Sequence, residues 1–254
     1  MLLHTDAFAA YRKSSQEHLD FAVLVCHAAP QLVIALGSGS PPPKPDHLQG
    51  RASATKRLMT LASAYENELA RTILITIFGY FESYIRAMLT EIIEFHGGEA
   101  HFIKMSERRA QKLLLSPTAT IVASRSRLQT RAKPSWGDRY RKHTRLLQAE
   151  GYRFPSDLLS SYGARGLVKK ASEKKGLRAW EIQDVLEHGL LFPIGSAKRA
   201  WLDDVRQHRN DVAHGVSPNL TIRYSLKAAS ELHAFASRVD RHVVTHFMVI
   251  EKFA

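Results

Sequence analysis

Residues 70–95 read ARTILITIFGYFESYIRAMLTEIIEF. Phe78, Phe81, Ile85, Met88, Ile92 and Phe95 recur at three- and four-residue intervals, which is the period of one face of an α-helix. The stretch contains no proline, and His96-Gly97-Gly98 supplies its stop. The helical reading extends upstream to about Ala54. Before it lies GSGSPPPKPDHLQG, residues 37–50, a loop on composition alone. Residues 2–36 read as another helix, with a kink or break expected at Pro30. Beyond residue 100, SERRAQKLLL and DRYRKHTRLLQAEG read as short helices, and residues 156–189 hold two more. Ser196 is the expected cap of a helix running to about residue 213, and a last long helix is expected from about Tyr224. Alternating strand patterns are nearly absent and no internal repeat is evident. The expected fold is an all-α helical bundle in three stretches: residues 1–99 with N-terminal helices and the loop at 37–50, residues 100–195 as a basic helical insert, and residues 196–254 with the C-terminal helices.

The composition is that of an ordinary globular chain, with 44% hydrophobic and 24% charged residues in 254. A single cysteine, Cys26, excludes a disulfide framework and a cysteine-based zinc site. The N-terminus lacks the basic-then-apolar order of a signal peptide. The most apolar run, Phe21 to Leu36, is too short and too interrupted by His27 and Pro30 to span a bilayer. A cytoplasmic protein with no membrane partner is therefore expected. The net charge of +12 is unevenly spread. Lys104 to Arg178 carries 19 Lys and Arg against 5 Asp and Glu, and the other residues hold 17 against 19. A positive field confined to one segment attracts polyanions.

RQHRNDVAHG, residues 206–215, carries the densest functional chemistry. Gly215 and Pro218 are expected to end the helix just beyond His214. Leu202, Val205, Arg209 and Val212 form one stripe, so Arg209 stands where an apolar side chain would be usual. A guanidinium in that position needs a partner or a cleft. Arg206, Asn210 and His214 form a second row at i, i+4, i+8. His214 lies about 140° around the helix from Arg209, with Asn210 between them. Near a helix C-terminus a histidine can act as acid or base close to neutral pH. The bland alternative is a capping histidine and a salt-bridged arginine.

RNDVAH (Arg209 to His214) with Gly215 resembles the arginine-polar-x3-histidine signature of the HEPN superfamily, in the form found in its RiboL-PSP-HEPN branch. The upstream helix, with Glu82 directly after Phe81, is similar to the acidic residue following paired aromatics in that branch. The resemblance covers about Ala54 to His96 and Ala200 to the C-terminus. It implies a HEPN-like bundle that forms a homodimer, with two motif helices meeting across a composite cleft. It also implies a metal-independent endoribonuclease needing no cofactor. In that scheme His214 activates the ribose 2′-OH or protonates the leaving oxygen. Arg209 holds the scissile phosphate and Asn210 orients it. Glu82 supports the site, although an i,i+4 pair with Arg86 accounts for it equally well. The products would be a 2′,3′-cyclic phosphate and a 5′-hydroxyl. A toxin or antiviral defence role follows from the same resemblance, with an antitoxin or another defence-system protein as partner.

The basic insert interleaves cations with aromatics in WGDRYRKHTR, GYRF and SYGARGLVKK. Cations hold phosphates and aromatic faces stack on unpaired bases, which suits single-stranded or looped RNA. Arg206, Arg139, Arg141, Lys142, Arg145, Lys169 and Lys170 are the expected nucleic-acid contacts. No Walker loop, nucleophile elbow or HExxH stands in the sequence. His242 and His246 are spaced to share a metal but lack an obvious carboxylate, so no metal site is expected. Two rivals stay open. One is a non-catalytic HEPN module binding RNA or a partner protein. The other is a DNA-binding defence subunit.

Overall fold

The computed structural model describes residues 3–39, 55–104, 161–173, 177–216 and 218–248. These residues are helical and contain no strand. The helices are α1 (Asp6–Gly37), α2 (Thr55–Ser63), α3 (Tyr65–Phe95), α4 (Ser161–Ser172), α5 (Glu181–Asp184), α6 (Ser196–Ala213) and α7 (Ile222–His246). A π-helical turn, Val185–Gly189, continues α5. The all-α expectation holds for the described residues. Pro30 lies inside α1 without ending it. The expected helix from Ala54 is divided at Ala64, whose N–H is shared between the carbonyls of Thr60 and Leu61 at 3.1 and 3.2 Å. That shared bond tightens the last turn of α2, and alanine gives no sign of it in the sequence.

Two compact units cut across the helices instead of following the chain order. The first is Met1–Tyr11, Phe81–Arg206 and Ala234–Ala254, and the second is Arg12–Tyr80 and Gln207–His233. In the first unit the C-terminal half of α3 supplies the core. Phe81, Ile85, Met88 and Ile92 are buried, as their spacing requires, and Phe95 is half-buried. Tyr84, Leu89 and Ile93 are buried too, so the buried face is broader than one stripe. Phe81 packs against Tyr11, Tyr84 and Phe235, with ring centroids 6.5, 6.3 and 6.0 Å away. Gly97, at φ +86°, ends α3 where the sequence places its stop.

The start of α1 is held by a closed polar network in this unit. Thr5 Oγ1 accepts the Phe8 N–H at 3.0 Å, and Glu91 accepts the N–H groups of Asp6 and Ala7 at 3.0 and 2.9 Å. Those are the donors that a helix N-terminus leaves unpaired, met by a hydroxyl and an anion. The Thr5 hydroxyl donates in turn to Asp240 Oδ1 at 2.5 Å. Burial raises the Asp240 carboxyl above the usual range, and the bonds from Thr5 pull it back. Thr5→Val removes both roles of one buried hydroxyl. We expect it to lower stability by about 2 kcal/mol, read as a shift in the urea midpoint.

His242 is mostly buried in the same unit, its Nε2 donating to the Leu190 carbonyl at 2.8 Å and its ring 5.4 Å from that of Phe192. Burial pulls its pKa from 6.5 down to about 4. The Leu190 carbonyl opposes that shift and His246 adds to it. The unfolded chain thus takes up this proton near pH 6.5 and the folded chain only near pH 4. The stability linked to this group is present above pH 6.5 and is lost as pH falls towards 4, by about 3 kcal/mol. Urea midpoints measured across that window should fall for wild type and fall less steeply for His242→Gln.

In the second unit the N-terminal half of α3 contributes buried Leu69, Ala70, Ile73, Leu74, Ile77 and Phe78. Ser225 of α7, 1% exposed, donates its hydroxyl to the Ala70 carbonyl at 2.7 Å. Thr221 caps α7, its Oγ1 accepting the Tyr224 N–H at 3.1 Å.

Candidate functional site

The first turn of α6 begins one residue earlier than expected. The Gly195 carbonyl accepts the Arg199 N–H at 3.0 Å, which puts Gly195 in the cap position and Ser196 first in the helix. At the other end the expectation holds. Gly215 adopts φ +78°, a conformation that costs a residue with a Cβ. Its N–H bonds the Val212 carbonyl at 3.1 Å, and the Val216 N–H bonds that of Asp211 at 2.8 Å. This is a Schellman end, with His214 as the last half-helical residue. The turn holds His214 at the surface, and its side chain is exposed. Beyond it, Asn67 Nδ2 donates to Asn219 Oδ1 at 3.1 Å and to the Leu220 carbonyl at 3.2 Å, which ties the loop after the motif to α3.

Arg209 is half-buried. Its guanidinium lies 5.7 Å from the centroid of the Phe78 ring, and Nη1 donates to Asn210 Oδ1 at 3.0 Å. An arginine in an apolar stripe thus rests on an aromatic face and is steadied by its neighbour's amide. The sequence showed that Arg209 needs a partner; Phe78, on a different helix, was not identified in advance. The pair of His208 and Tyr224 was missed altogether. Tyr224 Oη stands 3.2 Å from His208 Nδ1, and their rings are 5.2 Å apart. The loop that brings Tyr224 onto α6 gives no periodic signal.

Arg209, Asn210 and His214 all belong to the second unit. Glu82, half-buried on α3, belongs to the first, as does Arg206, whose Nη2 is 3.1 Å from Asp203 Oδ1. Of the expected nucleic-acid contacts, Lys169 is exposed at the end of α4. Lys170 is engaged within the chain, its Nζ 2.5 Å from Glu181 Oε1 and 3.2 Å from Glu173 Oε2. Burial pulls the Lys170 ammonium down, but the bonds to Glu181 and Glu173 more than offset it and leave it raised. Arg139, Arg141, Lys142 and Arg145 lie outside the described residues. Among the described residues no cluster of three or more His, Cys, Asp or Glu is placed to hold a metal ion. The chain matches no family model, and comparisons with curated proteins and with solved structures return no match.

Proposed function

We propose that this chain is a HEPN-like endoribonuclease of the cytoplasm that cleaves RNA through its own 2′-hydroxyl, without a metal, as a homodimer. One observation carries the reading: His214 is exposed at a glycine-locked helix end, with the Arg209–Asn210 pair about one turn upstream in the same unit. An exposed imidazole can exchange protons with a substrate, and a guanidinium seated on a ring is preorganised to meet a phosphate. RNA supplies its own nucleophile, so these few groups suffice. A dimer overcomes the angle of about 140° between Arg209 and His214, because one chain's arginine and the other's histidine can meet at one phosphate. A toxin or antiviral setting, with an antitoxin or another defence protein as partner, belongs to this proposal.

A second reading has one observation in its favour. Arg209 already bonds Asn210 and rests on Phe78, as an arginine in a non-catalytic RNA- or protein-binding module would. Incubation of total RNA with the protein in EDTA separates the two. The nuclease reading expects fragments ending in 2′,3′-cyclic phosphate and 5′-hydroxyl, whereas retention of intact RNA supports the binding module.

A further inference from the structure

The charged part of α1 ends at Asp20, and no Asp, Glu, Lys or Arg follows as far as Gly37. By length and composition both α1 and α3 are apolar enough to cross a membrane, yet they are used differently. Half of the most apolar window of α3 is buried, against 11% of that of α1. The core therefore accounts for α3 and not for α1. Phe21, Val23, Leu24 and Ile34 are 53%, 57%, 61% and 64% exposed. Ala22 and Leu36, on the opposite side of the helix, are buried. Projected down the axis, the exposed residues fill an arc of about 180°. The polar groups within it are the uncharged Gln31 and the imidazole of His27.

From this geometry we infer that the second half of α1 is a membrane-surface anchor, lying in the headgroup–acyl boundary of an anionic leaflet. The breadth of the arc selects the occupant. A single helix from a second chain covers a narrow seam of every third and fourth residue and leaves the rest of such an arc in water. A leaflet covers all of it. From Phe21 to Gly37 the helix is about 25 Å long, short of the hydrocarbon thickness of about 30 Å, and its other side is held in the fold. It therefore lies on the bilayer rather than across it. His27 and Gln31 keep the helix shallow. Arg12, Lys13, Lys56 and Arg57 are exposed in the same unit, and together with the net charge of +12 they draw the chain to anionic lipid. The inference stands independently of the nuclease reading.

The test uses the full chain and vesicles of phosphatidylglycerol and phosphatidylcholine in equal parts. An environment-sensitive fluorophore at Ala28→Cys, in a Cys26→Ser background, should brighten and shift to the blue when vesicles are added. The same label at Ser83→Cys, exposed on α3, should not respond. Phe21→Ser/Leu24→Ser/Ile34→Ser should partition onto the vesicles at least about a hundredfold less than wild type. An unresponsive label at position 28 would overturn the anchor even if the triple variant misfolds. So would a triple variant that binds vesicles as wild type does, or a solution mass that halves in the variant while vesicles leave wild type unbound, which would assign the face to a second copy.

Discussion

His214→Ala should reduce RNA cleavage by about 10²–10⁴-fold while leaving the melting temperature of the protein unchanged. The two halves of this expectation rest on different features. The loss of activity follows from removing the group that moves the proton to or from the ribose and the leaving oxygen. The constant melting temperature follows from exposure. The side chain lies at the surface, and Gly215 locks the turn through backbone bonds that do not involve the imidazole. Exposed substitutions of this kind shift stability by about 0.5 kcal/mol or less. Arg209→Lys is the companion variant. It keeps the charge but loses the planar fork and the seat on Phe78, so cleavage should fall while weak RNA binding persists. The most discriminating form of the experiment mixes two inactive proteins, His214→Ala and Arg209→Ala. If the two residues act across a dimer, mixed dimers hold one intact site and recover part of the activity. If they act within one chain, the mixture stays inactive. A mixture as inactive as its parts, with wild type active, would retain the nuclease and remove the composite site.

Periodic features were legible from the sequence, and contacts between distant segments were not. Phe81, Ile85, Met88 and Ile92 are buried because a three-four spacing on a proline-free stretch has one low-energy outcome in water, a helix with that face inside. Gly215 and Gly97 end their helices because only glycine takes those φ values without strain. Arg209 was recognisable as misplaced in its stripe, and the need for a partner followed from the cost of an uncompensated guanidinium. The identity of that partner, Phe78, depends on how α3 and α6 meet, which no local pattern encodes. The Tyr224–His208 pair and the ion pairs that engage Lys170 were hidden for the same reason. Pro30 marks the converse case. Proline predicts a break, but losing a single backbone bond did not outweigh the packing of the rest of α1. The apolar half of α1 was read correctly as too short to span a bilayer, but how much of it is exposed emerged only once the buried residues could be set beside it.

Phe81→Ala should produce the largest loss of stability of any single substitution considered for this chain, about 3–5 kcal/mol. Phe81 is 1% exposed and stands among Tyr11, Tyr84 and Phe235, three rings contributed by three helices. Truncation forfeits the transfer energy of the ring and leaves a cavity that stiff aromatic neighbours cannot close. Tilted and edge-on ring contacts add about 0.5–1.5 kcal/mol per pair beyond area alone. Against a total of about 5–15 kcal/mol for a domain, such a loss removes a large share of the folded population near physiological temperature. Phe81→Leu retains most of the volume and should cost distinctly less, so the ratio of the two measures the ring and not merely the position. Tyr84→Phe is the control within the cluster. It keeps the ring and removes only a hydroxyl that reaches the Ala236 carbonyl at 3.3 Å, so its cost should be about 1 kcal/mol. Guanidinium unfolding with a common m-value reads all three. Equal costs for Phe81→Ala and Phe81→Leu would mean that the cluster is held by backbone and capping contacts such as those of Thr5 and Glu91. The core of the first unit would then owe its order to the network at the start of α1 rather than to the aromatic face of α3.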